Sequence, residues 1–145
     1  MKTQFALLTV LLALLLTAPA LSDVEQARET ERHVIYYNVL PTSALPEAMA
    51  RAYNITRSDN RVLLNVTVRT RGEEESKAVP AEIDAQASNL TRQLKRFQMR
   101  KLSEDDAIYY VGDVGVTRGE SLNFVIKVTP EGESQAERIE FRRNF

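Results

Sequence analysis

The sequence predicts an all-β fold, an antiparallel β-sandwich of immunoglobulin-like architecture with about seven strands and one short helix after the first of them. Three observations carry this. Strand signals recur at short spacing along the chain, one stretch alone has helical character, and no strand–helix alternation of the kind that builds a parallel sheet is present. In the clearest strand, residues 61–71, Val62, Leu64, Val66 and Val68 alternate with Leu63, Asn65 and Thr67, so one face is wholly apolar. An open barrel is the main alternative. With no Cys and no Trp, the disulfide and buried Trp of antibody domains are missing, so the immunoglobulin likeness is architectural only.

The chain opens with a targeting pattern. Lys2 and the amino terminus form a short positive region, residues 5–16 are apolar apart from Thr9, and small residues follow. This reads as a signal peptide over residues 1–22, cleaved after Ala20 or Ser22, with a single domain over 23–145; an uncleaved anchor is the alternative. Cleavage removes Lys2 from the 19 Lys and Arg, leaving 18 against 20 Asp and Glu. That balance argues against nucleic-acid binding. The absence of Cys excludes thiol chemistry, cysteine-ligated zinc and disulfides, so packing alone must stabilise the domain. No later apolar run is long enough to span a membrane, so the mature chain is expected to be soluble.

Residues 23–31 read as a polar lead-in. Residues 33–40, rich in β-branched and aromatic types on both faces, read as a central strand that Pro41 ends. Residues 44–53 form the one helix, with Pro46 suited to its first turn, Glu47 to its positive end, and Leu45, Met49, Ala52 and Tyr53 on a common side. Asn54 follows where a helix end favours positive φ, which Asn tolerates better than most residues. After residues 61–71 comes a hairpin tip at Gly72–Glu75. Residues 79–87 alternate with Ala81, Ile83, Ala85 and Ala87 on one side. Residues 93–102 read as one strand with Phe97 and Met99 inward, 107–111 as another, Leu122, Phe124, Ile126 and Val128 as a second clean apolar face, and Ile139, Phe141 and Phe145 as the last. An outer-membrane barrel strand would also end in an aromatic residue, but Arg143 interrupts this one.

Several residues of this pattern, from Leu45-Pro-Glu through Arg51-Ala-Tyr-Asn-Ile-Thr-Arg-Ser58 to Leu64-Asn-Val-Thr-Val68, with Asp106-Ala-Ile-Tyr-Tyr110, resemble the family called domain of unknown function 4426. The family consists of exported bacterial proteins. The resemblance covers nearly the whole mature chain and is most specific over residues 53–68. Asn54 stands where that family is expected to carry Gly. The resemblance implies a single domain in a Gram-negative periplasm, and it implies no activity.

No constellation carries a recognisable chemistry, so no catalytic residue, metal ligand or cofactor is assigned. His33 is the sole histidine, lacks a Gly-x-Ser-x-Gly partner motif, and reads as a strand residue with one face in solvent. The acids at 73–75 and 104–106 fall in turns. Asn54, Asn65 and Asn89 each begin an Asn-x-Thr triplet, a chance match in a bacterial periplasm. The candidate binding residues are Arg57, Ser58, Asn65, Tyr53, Arg96 and Arg100. Arg57 and Ser58, in the turn before the 61–71 strand, suit either an anion clamp or a structural stitch. Arg96 and Arg100, with Gln98, would line the outer face of one strand, either for an acidic partner or to guard an edge. Asn65 points to solvent, unless its strand is covered on both sides and its amide needs internal partners.

The expected function is that of a non-enzymatic binding or accessory module for a protein or cell-envelope partner, through strand edges or the Arg57 turn. The alternative is a small-ligand module with a pocket between helix and sheet, lined by Met49, Tyr53 and strand side chains. A hydrolase with an unrecognised site comes third.

Overall fold

The computed structural model describes residues 26–145. The proposed signal segment and its cleavage sites lie outside the described residues. The chain forms two antiparallel sheets packed face to face, with nine strands and one short helix among the described residues. In order these are β1 (Gln26–Glu29), β2 (His33–Pro41), a single 3-10 turn (Thr42–Ala44), α1 (Glu47–Ala52), β3 (Arg61–Thr70), β4 (Ala81–Asn89), β5 (Leu94–Phe97), β6 (Arg100–Glu104), β7 (Ala107–Gly115), β8 (Ser121–Pro130) and β9 (Glu137–Asn144). The five-stranded sheet runs β1-β2-β3-β7-β6 and the four-stranded sheet β5-β4-β8-β9.

The two clean apolar faces meet in the core. Val62, Leu64, Val66 and Val68 on β3 lie opposite Leu122, Phe124, Ile126 and Val128 on β8, and all eight are buried. Register places Ile35 beside Val68 and Val39 beside Leu64, which adds β2 to the same inner layer. The closing strand β9 contributes aromatic packing, with the rings of Phe124 and Phe141 stacked at 4.7 Å and Phe145 edge-on to Phe124. These geometries suit the ring quadrupole.

Four sequence expectations change. Residues 23–31 are not a loose lead-in throughout, because Gln26–Glu29 pairs with β2 as an edge strand whose side chains are all exposed. Its polarity hid it, and Arg28 ties it across the sandwich to Glu137 on β9 at 2.9 Å. Residues 93–102 are not one strand. β5 pairs with β4 and β6 with β7, so the chain leaves one sheet for the other at Gln98 and Met99. Gly112 on β7 makes room for this crossing, since a Cβ there would lie 2.8 Å from the Met99 sulfur and 3.0 Å from the Gln98 carbonyl oxygen. These two changes turn the expected seven strands into nine.

Third, His33 is buried rather than facing solvent, with its Nδ1 3.6 Å from Glu133 on the turn before β9. The helix is shorter than the 44–53 span, and Pro46 precedes it as its N-cap. Its end follows the expected chemistry closely. Asn54 has φ of +53°, its N–H donates to the Arg51 carbonyl, and the Ile55 N–H donates to the Ala50 carbonyl at 2.8 Å. This is a complete Schellman ending, and Ile55 folds back to bury with Ala50.

Candidate functional site

The outer face of the four-stranded sheet is polar along its strands, as an antiparallel sheet facing water should be: Glu82, Asp84, Gln86 and Ser88 lie beside Lys127, Val125 and Asn123. The outer face of the five-stranded sheet departs from that rule. Leu40, Leu63, Val111, Tyr109 and Leu102 occupy neighbouring outward positions on β2, β3, β7 and β6. Burying this second apolar layer is what α1 is for. Leu45, Ala50 and Ile55 dock on Leu63 and Val111, and all five are buried. A helix of 6 residues has no stability of its own, so this contact and its caps hold it in place.

The segments on either side of α1 are bonded to each other. Thr42 is fully buried, its hydroxyl donating to the Thr56 carbonyl oxygen at 2.8 Å and accepting from the Ser58 N–H at 2.9 Å. Arg57 reaches the Ser43 carbonyl oxygen at 2.8 Å, and the Ser58 hydroxyl accepts from the Asn60 N–H at 3.0 Å. Arg57 and Ser58 thus stitch together the two ends of the loop that carries the helix, with the Arg57 side chain on the exposed surface. Arg100 on β6 donates to the Tyr53 carbonyl oxygen at 3.0 Å and so holds the C-terminal end of α1.

Between α1 and the sheet a recess of about 190 Å³ remains. Leu45, Ile55, Leu63 and Val111 form its floor and back, and Met49, Leu102, Tyr53 and Glu104 form its rim. Met49 is one of three large apolar side chains that stand well exposed among the described residues, at 44%. The Tyr53 hydroxyl donates to Glu104 at 3.1 Å, and this bond, which only the neutral phenol can make, raises the Tyr53 pKa above its ordinary value. At the inner end of the recess stands Asn65. The residue is half-buried, and its Oδ1 is shielded from solvent and has no hydrogen-bond partner among the described residues. A second hollow, of about 380 Å³, shares Asn65 and Tyr109 with the first as lining residues and is bounded further by Tyr36, Thr67 and Arg69. It lies where the β3–β7 ladder stops at Val66 and Tyr110; beyond that point β3 pairs with residues 77–79 instead.

Of the candidate residues, Tyr53 and Asn65 come together at the recess, and Arg100 supports it from behind. Arg96 does not join them. It lies beside Gln86 on the outer face of the four-stranded sheet, while Arg100 lies beside Val111 on the outer face of the other, so the two arginines face opposite ways. Their shared face depended on a single strand that the crossing at Gln98 divides. Lys95, from the same basic run, turns inward and pairs with Glu120 at 3.0 Å. Burial pushes the Glu120 carboxyl up, but the Thr117 N–H, the Lys95 ammonium and the Asn89 amide outweigh it and hold its pKa below the usual value. Tyr36, Thr67, Leu102 and Tyr109 were not singled out from sequence. The available signal was Leu63, an apolar residue in the column that should face water.

The fold is a two-sheet antiparallel β-sandwich whose four-stranded sheet has a polar outer face and whose five-stranded sheet is covered in part by α1. The chain belongs to the domain of unknown function family DUF4426, which matches residues 27–145. A crystal structure of a DUF4426 family protein from Pseudomonas aeruginosa is similar at a TM-score of 0.72 and 29% identity, covering 83% of this chain and 94% of that one. Copper-bound variant FetP from uropathogenic Escherichia coli shares the fold at a TM-score of 0.56 and 8% identity, over 83% of this chain and 89% of that one. FetP as isolated after recombinant expression in the periplasm gives 0.50 and 11%, over 83% and 91%. No curated protein sequence matches the chain. Among the described residues no three His, Cys, Asp or Glu side chains are grouped as they would be around a metal ion. No helix among them is long and apolar enough to cross a membrane.

Proposed function

We propose that this protein is a non-enzymatic binding module of the bacterial cell envelope, exported with cleavage after Ala20 or Ser22, and that it contacts its partner through the recess between α1 and the five-stranded sheet. One observation carries the reading. The Asn65 side-chain oxygen is buried without a partner among the described residues, beside a recess that is apolar apart from its tyrosines and the Glu104 rim. A buried polar group left without a partner costs about 1–3 kcal/mol, so a ligand that supplies the missing partner recovers it. The exposed Met49 at the mouth, an adaptable side chain often used at binding surfaces, supports the same reading. An envelope location is supported by the N-terminal pattern of a positive start, an apolar run and small residues.

The test is site-specific photocrosslinking in the intact envelope. A photoreactive residue at position 49 should yield a discrete adduct, and one at position 127, on the polar face of the other sheet, should yield none. Equal labelling from both positions, or none from position 49, would remove the recess as the contact site.

A further inference from the structure

The recess and the hollow beside it, taken together, have the shape and chemistry of a site for one kind of partner. Resting on the reading above, we infer that the occupant is an extended peptide segment of another protein, with one apolar side chain in the recess under α1, a main-chain peptide group on the Asn65 amide, and a basic residue over Asp105 and Asp106.

Size is the first argument. A recess of about 190 Å³ is below the roughly 300–1,000 Å³ of sites that enclose drug-sized ligands or cofactors, and it suits a single large side chain. Its lining is aliphatic except at Asn65, Tyr109 and the rim. Continuity is the second. The 380 Å³ hollow along β3 and β7 borders the recess, sharing Asn65 and Tyr109 as lining residues, so a ligand anchored under α1 that also occupies the hollow must be elongated. Chemistry is the third. A primary amide offers one acceptor and two donors, the complement of a peptide group's N–H and C=O, and it is neutral. The one cation lining the hollow, Arg69, is already bound to the Ser76 hydroxyl and carbonyl, so the hollow is not built to clamp an anion. Charge is the fourth. Beyond the hollow, Glu75, Asp105 and Asp106 stand exposed with Lys77 and the occupied Arg69, which leaves a net acidic end. A basic side chain would be drawn there, with an attraction that salt weakens.

The experiment pans the purified protein against displayed linear peptides, then measures synthetic peptides from the enriched set by fluorescence anisotropy. The expected consensus holds one Leu, Ile or Phe anchor and a Lys or Arg on one side of it. N-methylation of a single main-chain nitrogen near the anchor should weaken binding by about tenfold in the native protein. In Asn65→Leu the unmethylated peptide should already be weakened, and the same methylation should then have little further effect. Met49→Glu, at an exposed position that cannot disturb the core, should lose binding with the fold intact. Asp105→Lys with Asp106→Lys should weaken it by severalfold and flatten its salt dependence. Failure to enrich any peptide, or peptides held equally well by Asn65→Leu and Met49→Glu, overturns the assignment. The two levels separate cleanly. If position 49 crosslinks a lipid or glycan while panning fails, the recess stands and the peptide falls; if position 49 captures nothing, both fall.

Discussion

The two sheets share one core but treat their outer faces differently. The four-stranded sheet turns Glu82, Asp84, Gln86 and Lys127 to water, with local pairs such as Arg138–Glu140 and Arg142–Asn123 along β9 and β8. The five-stranded sheet turns out Leu40, Leu63, Leu102 and Val111 and then spends a 3-10 turn, a two-turn helix and a bonded loop on covering part of them. A fold that needed only stability could have kept both faces polar. The apolar outer layer, its partial cover and the orphaned Asn65 amide lie on the same face, which is why the functional reading attaches there.

The sharpest way to break this comparison is to truncate one side chain on each outer face. Leu63 is only 4% exposed although it points away from the main core. Leu63→Ala should cost about 2–5 kcal/mol, as much as Leu64→Ala on the inner face of the same strand, because both lose burial and leave a cavity. Lys127→Ala on the other sheet should change stability by no more than about 0.5 kcal/mol. Urea denaturation of the three variants reads this directly. If Leu63→Ala behaves like Lys127→Ala, α1 is not packed on the sheet and the recess does not exist.

Leu63 also marks the limit of what the sequence disclosed. Period-two alternation identified β3 and β8 and their buried faces, because each strand carries four apolar residues in strict register. Leu63 breaks that alternation on the face assigned to solvent, and its meaning depended on which strands became its neighbours. β2 and β7 are distant in sequence, so the patch they complete with Leu40 and Val111 is a product of topology. The same holds for the strand exchange at Gln98. Residues 93–102 keep one alternating pattern across two strands in different sheets, and only the glycine at 112, far along the chain, permits the crossing. Local chemistry was more legible. Asn54 after a short helix implied positive φ, and the structure has it. Tyr53, Met49 and Asn65 were readable as candidates, whereas Tyr36, Thr67 and Tyr109 carry no local mark of function.

The helix cover can next be probed through its buried polar anchor. Thr42→Val keeps the shape of the side chain but removes its hydroxyl, leaving the Ser58 N–H without its acceptor and the Thr56 carbonyl without its donor. The expected cost is about 1–3 kcal/mol. Proteolysis within residues 53–60 should speed up in this variant while the β4–β5 hairpin stays resistant. Equal resistance in both regions would mean that Thr42 does not anchor the loop.

A smaller effect is expected at the helix end. Asn54 occupies the left-handed region at φ +53°, where a Cβ crowds the backbone, and β-branching makes this worse. Asn54→Val should destabilise by about 1–2 kcal/mol and Asn54→Gly should be close to neutral. Paired denaturation curves decide it: equal tolerance of Val and Gly would contradict the Schellman ending.

The smallest expected effect is a titration at the rim, and it tests whether the covered face is electrostatically distinct from the polar one. The Tyr53 phenol donates to the Glu104 carboxylate at 3.1 Å. Ionising the phenol removes the donor and sets a second negative charge beside the first, so both changes favour the neutral form and raise the Tyr53 pKa above its ordinary 10.0. The sign of the linkage follows. A tyrosine whose pKa is higher in the folded state than in the unfolded chain contributes stability that is fully present below the unfolded value. That contribution is lost as pH rises through the folded value. The window is therefore alkaline, and neutral pH leaves the contact intact. Because the pair is at the surface, the gain is weakened by salt. Absorbance titration should place Tyr53 above an ordinary tyrosine in the native protein and return it toward the ordinary value in Glu104→Ala, with added salt moving the native midpoint the same way. Tyr53→Phe identifies which transition belongs to this residue. If the transition that it removes is unaffected by Glu104→Ala, the phenol is not bonded to Glu104, and the recess lacks the rim that closes its outer side.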